Sequence, residues 1–125
     1  MDIEKIENAL QTDRLVDITT TGRKSGEPHR IEITFHYLDG TIYISGMPGR
    51  RDWFANLLAD PQFTFHLKQS AQADLAATAR PITEPAERRA VLTRVVERWN
   101  RQGQLEQFIE DSPLIEVLVE GTGYG

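Results

Sequence analysis

The chain has 125 residues, no cysteine and a formal net charge of -5. This composition excludes a disulfide framework, a thiolate nucleophile and a cysteine-containing zinc site, and the length suits one domain with a sizeable core. With no apolar run near the roughly 20 residues of a membrane span and a charged opening segment, we expect one cytoplasmic domain over residues 1–125.

The first third of the chain predicts a short helix and three strands. Apolar residues spaced i, i+3 and i+7 over Ile3–Leu10 predict the helix, as a lid or a flank of the fold. The β-branched run at 15–21 favours a strand, and apolar residues alternate with polar ones over 30–37 as in a half-buried strand. Asp39-Gly40 is a hairpin signal, so 42–45 is predicted to return as the partner strand.

The rest of the chain predicts three helical segments and three more strands. Asp52 is predicted to cap a helix whose apolar face is Trp53, Phe54, Leu57 and Leu58. The later elements are, in order, strands at 63–67 and 73–82, a helix opened by Pro85 and broken at Gly103, helical turns at 105–109 and a strand at 114–119.

Six strands joined by hairpin-like connections and interrupted by helices indicate an antiparallel sheet. Such a sheet is expected to curl into a small barrel with helices packed outside it. The predicted fold class is therefore α+β, an antiparallel split β-barrel, and a doubly wound parallel sheet is excluded.

The side chains that usually carry acid/base, nucleophilic or metal chemistry are not arranged in recognisable motifs. The histidines His29, His36 and His66 lack metal-ligand spacing and are predicted to be ordinary polar-face residues. The serines lack a GxSxG setting. We therefore predict no catalytic side chain and no metal site.

The segment TTTGRKSGEPHR at 19–30 concentrates positive charge in one turn. Gly22 and Gly26 are expected to allow positive φ and to turn backbone N–H groups toward one point, which suits phosphate or carboxylate oxygens. The alternative is a solvated β-turn whose charged side chains serve only solubility. The cationic side chains that would complete the anion site are Arg23, Lys24 and Arg30.

A second cationic segment leads into the helix predicted near Asp52. Arg50 and Arg51 follow the loop at 46–49, and helix N-termini attract anions through their free N–H groups and dipole. If the strand before Gly46 lies near the strand after Gly22, both segments are expected to hold the two ends of a long anionic cofactor. This is a local site, without the broad basic face that duplex nucleic acid requires.

These motifs resemble the deazaflavin-dependent nitroreductase and quinone reductase family, which binds coenzyme F420 on a split β-barrel related to flavin-binding oxidases. The resemblance covers residues 15 to about 68 and is weaker in the second half of the chain. The segments that carry it are TTTGRKSGEPHR at 19–30, the Asp39-Gly40 hairpin, the loop at 46–49 and WFANLLADP at 53–61.

The resemblance implies a set of cofactor contacts. In the first turn it implies Arg23, Lys24 and Ser25 near the cofactor's phosphate and acidic tail. Family members often have lysine or serine within the loop at 46–48 and Pro-Leu where this chain has Glu32-Ile33; here Arg50 and Arg51 are expected to supply the loop's missing charge. The contacts implied at the second segment are Ser45, Gly46, Gly49 and Arg50, with Trp53 and Asn56 packing behind them.

The function implied is transfer of hydride from reduced F420 to an electron-poor small molecule such as a quinone, a nitroaromatic or a conjugated enone. The alternatives are an FMN-binding oxidoreductase on the same barrel and a non-catalytic carrier of an anionic ring cofactor. The proton is expected from water, His36 or Tyr37. Trp99 and Phe108 are aromatic candidates for the substrate side, with burial in the core as the alternative.

A homodimer is expected, because small barrels of this kind often pair through part of the sheet. The side chains taken as support for this interface are Phe35, Phe63 and Phe65.

Overall fold

The structure is a computed structural model that describes residues 3–120, so the two ends of the predicted 1–125 domain lie outside the described residues. A 3₁₀ turn at Gln102–Gln104 precedes the last helix. The helices and strands are α1 Ile3–Thr12, β1 Leu15–Thr21, β2 Pro28–Leu38, β3 Thr41–Ser45, α2 Asp52–Ala59, β4 Gln62–Leu67, β5 Ala73–Pro81, α3 Pro85–Arg98, α4 Leu105–Asp111 and β6 Leu114–Val119.

The six strands close into one barrel in the order β1-β2-β3-β6-β5-β4, and each pairing is antiparallel. The predicted α+β barrel of about six strands is therefore confirmed. No helix within residues 3–120 is long and apolar enough to cross a membrane. The cytoplasmic location stays a prediction.

Inward-facing side chains of the strands fill the barrel together with one face of α1. Phe35 and Phe65 meet edge to face at 5.7 Å between ring centroids. Ile6 and Leu10 of α1 are 2% and 1% exposed and belong to the same buried cluster. Burial of one such side chain stabilises the fold by roughly 1.5–3 kcal/mol, so α1 is part of the core, not a lid.

A second apolar cluster lies between α3, α4 and the start of β6, and it includes Leu92, Val95 and Phe108. The Arg88 guanidinium completes this layer by donating to carbonyl groups at the end of α4 and to one carbonyl before α3. Its acceptors are the carbonyl oxygens of Ile82, Phe108, Ile109 and Ser112, at 2.8–3.3 Å.

Two predicted helix boundaries and one predicted helix face are wrong. Arg51, not Asp52, is the N-cap residue of α2, and no side chain caps this helix. α3 ends at Arg98 and the chain reverses at Asn100, which has a φ of 56°, before Gly103 is reached. Leu58 is 57% exposed, because Asn56 takes its predicted place on the buried side of α2.

The predicted alternation of buried and exposed residues along β2 is not observed, since the consecutive residues Phe35 and His36 are both buried in its second half. Residues 28–32 are exposed on both faces, and Ile31 is 37% exposed. β2 pairs with β1 from Pro28 onward, whereas its pairing with β3 begins at Phe35. The first half of β2 is therefore a partly uncovered edge.

His36 is buried, which corrects its prediction as a polar-face residue; His66 is also buried, and His29 is exposed. The His36 ring packs against Trp99 at 5.1 Å between centroids, and its Nδ1 accepts a hydrogen bond from Arg98 Nε at 3.1 Å. Burial, followed by the charges of Arg98 and Arg14, lowers the pKa of His36 from 6.5 to about 4. The ring is thus neutral in the folded protein.

We expect His36 to make the protein acid-sensitive. The unfolded chain takes up a proton at His36 near pH 6.5 while the folded protein does not until about pH 4, so stability falls as the pH drops between these values. The loss is roughly 2–3 kcal/mol. Urea unfolding of the wild type and His36→Gln at pH 7 and pH 4.5 measures it. Parallel pH dependence in the two proteins would contradict this expectation.

Candidate functional site

A groove made of three neighbouring hollows lies across the N-terminal end of α2. Its first part is a hollow of about 440 Å³ beside the turn between β1 and β2, and its second is a hollow of about 620 Å³; Arg23 and Asp52 line both. Arg50 and Phe54 connect the second part to a third hollow of about 610 Å³ beside α4. We call the three connected hollows the α2 groove.

Sheet topology explains why the two cationic segments meet here. β1 and β3 both pair antiparallel to β2, so they run in the same direction and end at the same edge of the barrel. The first cationic turn follows β1, and the loop at 46–50 follows β3. The predicted convergence of these segments is confirmed, since Arg23, Arg50 and Arg51 line the same hollow.

A buried amide fixes the first cationic turn to α2. Asn56 Oδ1 accepts hydrogen bonds from the Arg23 backbone N–H at 3.1 Å and from Arg23 Nη1 at 2.8 Å. Asn56 Nδ2 donates to Thr20 Oγ1 at 3.3 Å. The Arg23 guanidinium also reaches the Asp52 carboxylate at 3.3 Å. Asn56 therefore holds both the backbone and the side chain of Arg23 over the groove.

The turn at 22–27 is not the open nest of N–H groups predicted from its glycines. Only Gly26, with a φ of 72°, has positive φ in this turn. Gly22 is closely packed instead, and a Cβ there would lie 2.6 Å from both His29 Nε2 and Ser25 Oγ, so these two exposed side chains would have to move. The N–H groups of Gly22, Gly26 and Glu27 donate within the turn. These three N–H groups are therefore not available to an anion.

The loop at 46–50 is anchored to the segment between α4 and β6. Ser45 Oγ donates to the Pro113 carbonyl at 2.9 Å, and the Gly49 N–H donates to the Asp111 carbonyl at 3.0 Å. Gly49 has a φ of 125°, a conformation that L side chains rarely adopt. The predicted contact residue Ser45 is 2% exposed, and its hydroxyl already has this protein partner.

The cationic side chains of the groove differ in how far they are neutralised. Arg51 folds back on its own loop and donates to the carbonyls of Met47 and Arg50 at 3.1 and 2.8 Å. Lys24 and Arg50 are exposed and form no ion pair within residues 3–120. Asp52, which pairs with Arg23, is the carboxylate of the first two hollows, so these two are cationic. The third is lined by Glu110 and Asp111 as well as by Arg50 and Arg88.

Two other predicted contact residues lie away from the groove surface. Trp53 is 7% exposed and packs in the barrel core, which agrees with a supporting position behind the site. Arg30 lies on the outer face of the sheet, where its Nε donates to Asp17 Oδ2 at 3.0 Å. Its role in cofactor binding stays a prediction, without a place in the groove to support it.

The third hollow includes residues that the sequence did not indicate. Ile82, Gln107 and Ser112 line it opposite Pro48 and Phe54. Ser112 Oγ is buried and has no hydrogen-bond partner among the described residues. No local motif marks these positions, because α4 and the start of β6 reach the groove only through the barrel closure.

Comparison with protein families identifies the chain. The family model for the F420H(2)-dependent quinone reductase matches residues 4–121. The chain belongs to this family. It is an oxidoreductase that uses reduced coenzyme F420 and passes electrons to a small-molecule acceptor. The family membership supports F420 over the FMN alternative.

Solved structures share the fold of this F420H(2)-dependent reductase at low sequence identity. The conserved hypothetical protein Rv2991 from Mycobacterium tuberculosis has a TM-score of 0.74 and 20% identity, over 96% of this chain and 81% of that one. A putative pyridoxamine 5'-phosphate oxidase from Listeria innocua has a TM-score of 0.73 and 14% identity, over 94% and 93%. A structure described as a domain-swapped dimer has a TM-score of 0.63 and 23% identity, over 84% and 80%. A search of curated protein sequences finds no match.

We expect Asn56→Ala to destabilise this reductase by about 1–3 kcal/mol, because it leaves the Arg23 N–H without its acceptor in a buried site. Asn8→Ala, the same substitution at an exposed position of α1, is the control and is expected to change stability by less than about 0.5 kcal/mol. Urea unfolding monitored by tryptophan fluorescence measures both. Equal stability of Asn56→Ala and the control would show that the amide does not hold the turn.

Proposed function

We propose that the α2 groove binds the phosphate and acidic tail of reduced F420, with Arg23, Lys24 and Arg50 as its charged contacts. The observation that supports this proposal is the convergence of both cationic segments on one groove, where Arg23 lines two of its hollows. Phosphate and carboxylate oxygens match guanidinium and ammonium donors. The donor set therefore fits the anionic part of the cofactor.

The existing contacts of these three side chains support their roles as anion ligands. Lys24 and Arg50 have no ion pair within the described part of the chain, so binding an anion costs them no existing contact. Arg23 shares its charge with Asp52 but is pre-positioned by Asn56. The α2 N-terminus adds the positive end of its dipole.

We further propose that the third hollow holds the cofactor ring and the acceptor. Its volume of about 610 Å³ is within the range of small-molecule pockets. Pro48, Phe54 and Ile82 give it apolar walls suited to flat rings. In this arrangement Gly46 and Gly49 shape the loop under the ring, and Ser45 acts through its hydrogen bond to Pro113.

Reduced F420, when bound, supplies the hydride, and the protein supplies binding, orientation and exclusion of water. Neither of the two side chains suggested by the sequence as proton donors faces the groove. His36 is enclosed by α3, and the Tyr37 hydroxyl donates to the Glu7 carboxylate of α1 at 2.9–3.1 Å. We therefore propose water as the proton source and a quinone, nitroaromatic or conjugated enone as the acceptor.

Cofactor titration tests the groove. We expect Lys24→Gln and Arg50→Gln each to weaken F420 binding by about 1–3 kcal/mol, or roughly 5- to 150-fold in Kd. Arg101→Gln, which removes an exposed arginine bound only to Gln104, is the charge-matched control and should leave Kd unchanged. Fluorescence titration with F420, and separately with FMN, measures these constants.

An unchanged F420 affinity in both groove variants would show that F420 does not bind in the α2 groove. Tighter binding of FMN than of F420 by the wild type would favour the FMN alternative, and F420 binding without reduction of any acceptor would favour the carrier.

We also propose a homodimer, with other interface residues than those predicted from the sequence. Phe35, Phe63 and Phe65 are buried inside the barrel at 1%, 6% and 0% exposure, so they do not support an interface. Ile31 and Leu58 are the exposed large apolar side chains beside the groove, at 37% and 57%. The domain-swapped dimer among the similar structures is in line with pairing.

Sedimentation equilibrium tests this pairing. The wild type is expected at twice the monomer mass, and Leu58→Asp at the monomer mass, because a carboxylate replaces apolar surface in the interface. Ile3→Asp, at an equally exposed apolar position on α1, is the control and should remain dimeric. A monomeric wild type at tens of micromolar would contradict the proposal.

A further inference from the structure

Two carboxylates without partners line the third hollow of the α2 groove. Glu110 and Asp111 are the last two residues of α4, and both are exposed. Neither side chain forms an ion pair or a hydrogen bond within residues 3–120. Glu106, the other carboxylate of the same helix, pairs with Arg89 of α3 at 2.8 Å. The α4 wall of the hollow therefore carries negative charge that the fold does not neutralise locally.

The positions of Glu110 and Asp111 are unfavourable for α4 itself. The C-terminal end of a helix carries the negative end of its dipole, so acidic side chains in the last turn are repelled and basic ones are stabilised. α4 has no basic residue in its last turn. The two carboxylates thus oppose the helix without gaining a partner, and such local conflicts are typical of positions that serve function.

The positive charges of this hollow are engaged elsewhere. Arg88 directs its guanidinium at four backbone carbonyls. Arg50 is a proposed contact of the cofactor's phosphate, which neutralises it when bound. The space left for an acceptor is therefore bounded by the two carboxylates and by the apolar side chains Pro48, Phe54 and Ile82.

A buried hydroxyl in the same wall is a separate indication of a ligand. Ser112 lines the hollow next to Asp111 and is 4% exposed, and its Oγ has no hydrogen-bond partner among the described residues. Buried polar atoms nearly always have a partner. A carbonyl or nitro oxygen of a bound acceptor is able to supply one.

We propose that Glu110 and Asp111 determine which acceptors the reductase uses by their charge. The hollow favours uncharged and cationic acceptors over those that bear a carboxylate, sulfonate or phosphate group. This inference rests on the proposed placement of the acceptor in the third hollow. Because both carboxylates are exposed, they lie at the mouth of the hollow, where they meet the substituents of an acceptor and not its reacting ring.

Steady-state kinetics with reduced F420 and acceptors of one ring system tests the proposal in the full chain. The acceptors are menadione, which is uncharged, naphthoquinone-2-sulfonate, which is anionic, and a trimethylammonium-substituted naphthoquinone, which is cationic. The measured quantity is kcat/KM for each charged acceptor divided by kcat/KM for menadione in the same protein. We expect the double variant Glu110→Gln with Asp111→Asn to raise this ratio for the sulfonate and to lower it for the cation. Because water screens charges at the mouth, each change is expected to be roughly 3- to 10-fold.

The matched control is Glu97→Gln, the same charge change at an exposed position of α3 that does not line the hollow. Both ratios should keep their wild-type values in this variant. Salt gives a control in the wild type, since raising it from about 0.01 M to 1 M shortens the Debye length from about 30 Å to 3 Å. The wild-type ratios should then approach those of the double variant.

Binding without turnover gives a second readout. Isothermal titration of the three acceptors into the complex with oxidised F420, which has no hydride to transfer, should show the same order of preference in Kd. Urea unfolding of the double variant gives a third, and it should be at least as stable as the wild type because two charges that oppose the α4 dipole are removed.

Ratios that do not change in the double variant, or wild-type ratios that do not respond to salt, would overturn the proposal. A double variant clearly less stable than the wild type would show that the carboxylates serve the fold and would overturn it equally. The F420 titrations of Lys24→Gln and Arg50→Gln keep this failure distinct from failure of the proposed function. If those variants bind F420 more weakly while the acceptor ratios do not respond, the groove holds the cofactor and only the acceptor specificity is wrong.

Discussion

The cationic turn depends on one buried amide. Asn56 accepts from the backbone and the guanidinium of Arg23 and donates to Thr20, so it connects β1, the turn and α2 through three hydrogen bonds. An unpaired amide in this position would be costly, because burial removes the water that could replace its partners. Those bonds fix where the positive charge of the groove lies, and the rest of the cofactor proposal depends on that position.

Barrel closure supplies the second half of the groove. β6 pairs with β3, and its start lies beside Ser45, so the segment at 111–113 reaches the loop at 46–50. Arg88 keeps α4 in place by satisfying its terminal carbonyls. The pocket wall from α4 is therefore held by the same strand order that brings the ends of β1 and β3 together.

The alternation of β1 separates two hydrogen-bond networks by one residue. Thr20 accepts a hydrogen bond from Asn56, whereas Thr19 belongs to the outer network with His66 and Asp74. A β-strand presents successive side chains to opposite faces. Successive residues of one strand thus take part in two separate networks, one that holds Asn56 and one on the outer face.

Local signals in the sequence determined most of the secondary structure and the family. Local residue patterns predicted all six strands and the Glu84-Pro85 start of α3, and local composition indicated the cationic segments. These features depend on residues that are close together in the chain. Only the tertiary structure decided which faces are covered. It buried His36 under α3, exposed Leu58, moved Arg30 away from the groove and joined Thr19 to a histidine 47 positions later. Local periodicity identifies the apolar side of an element, but the burial and partners of a side chain are set by the elements that pack against it.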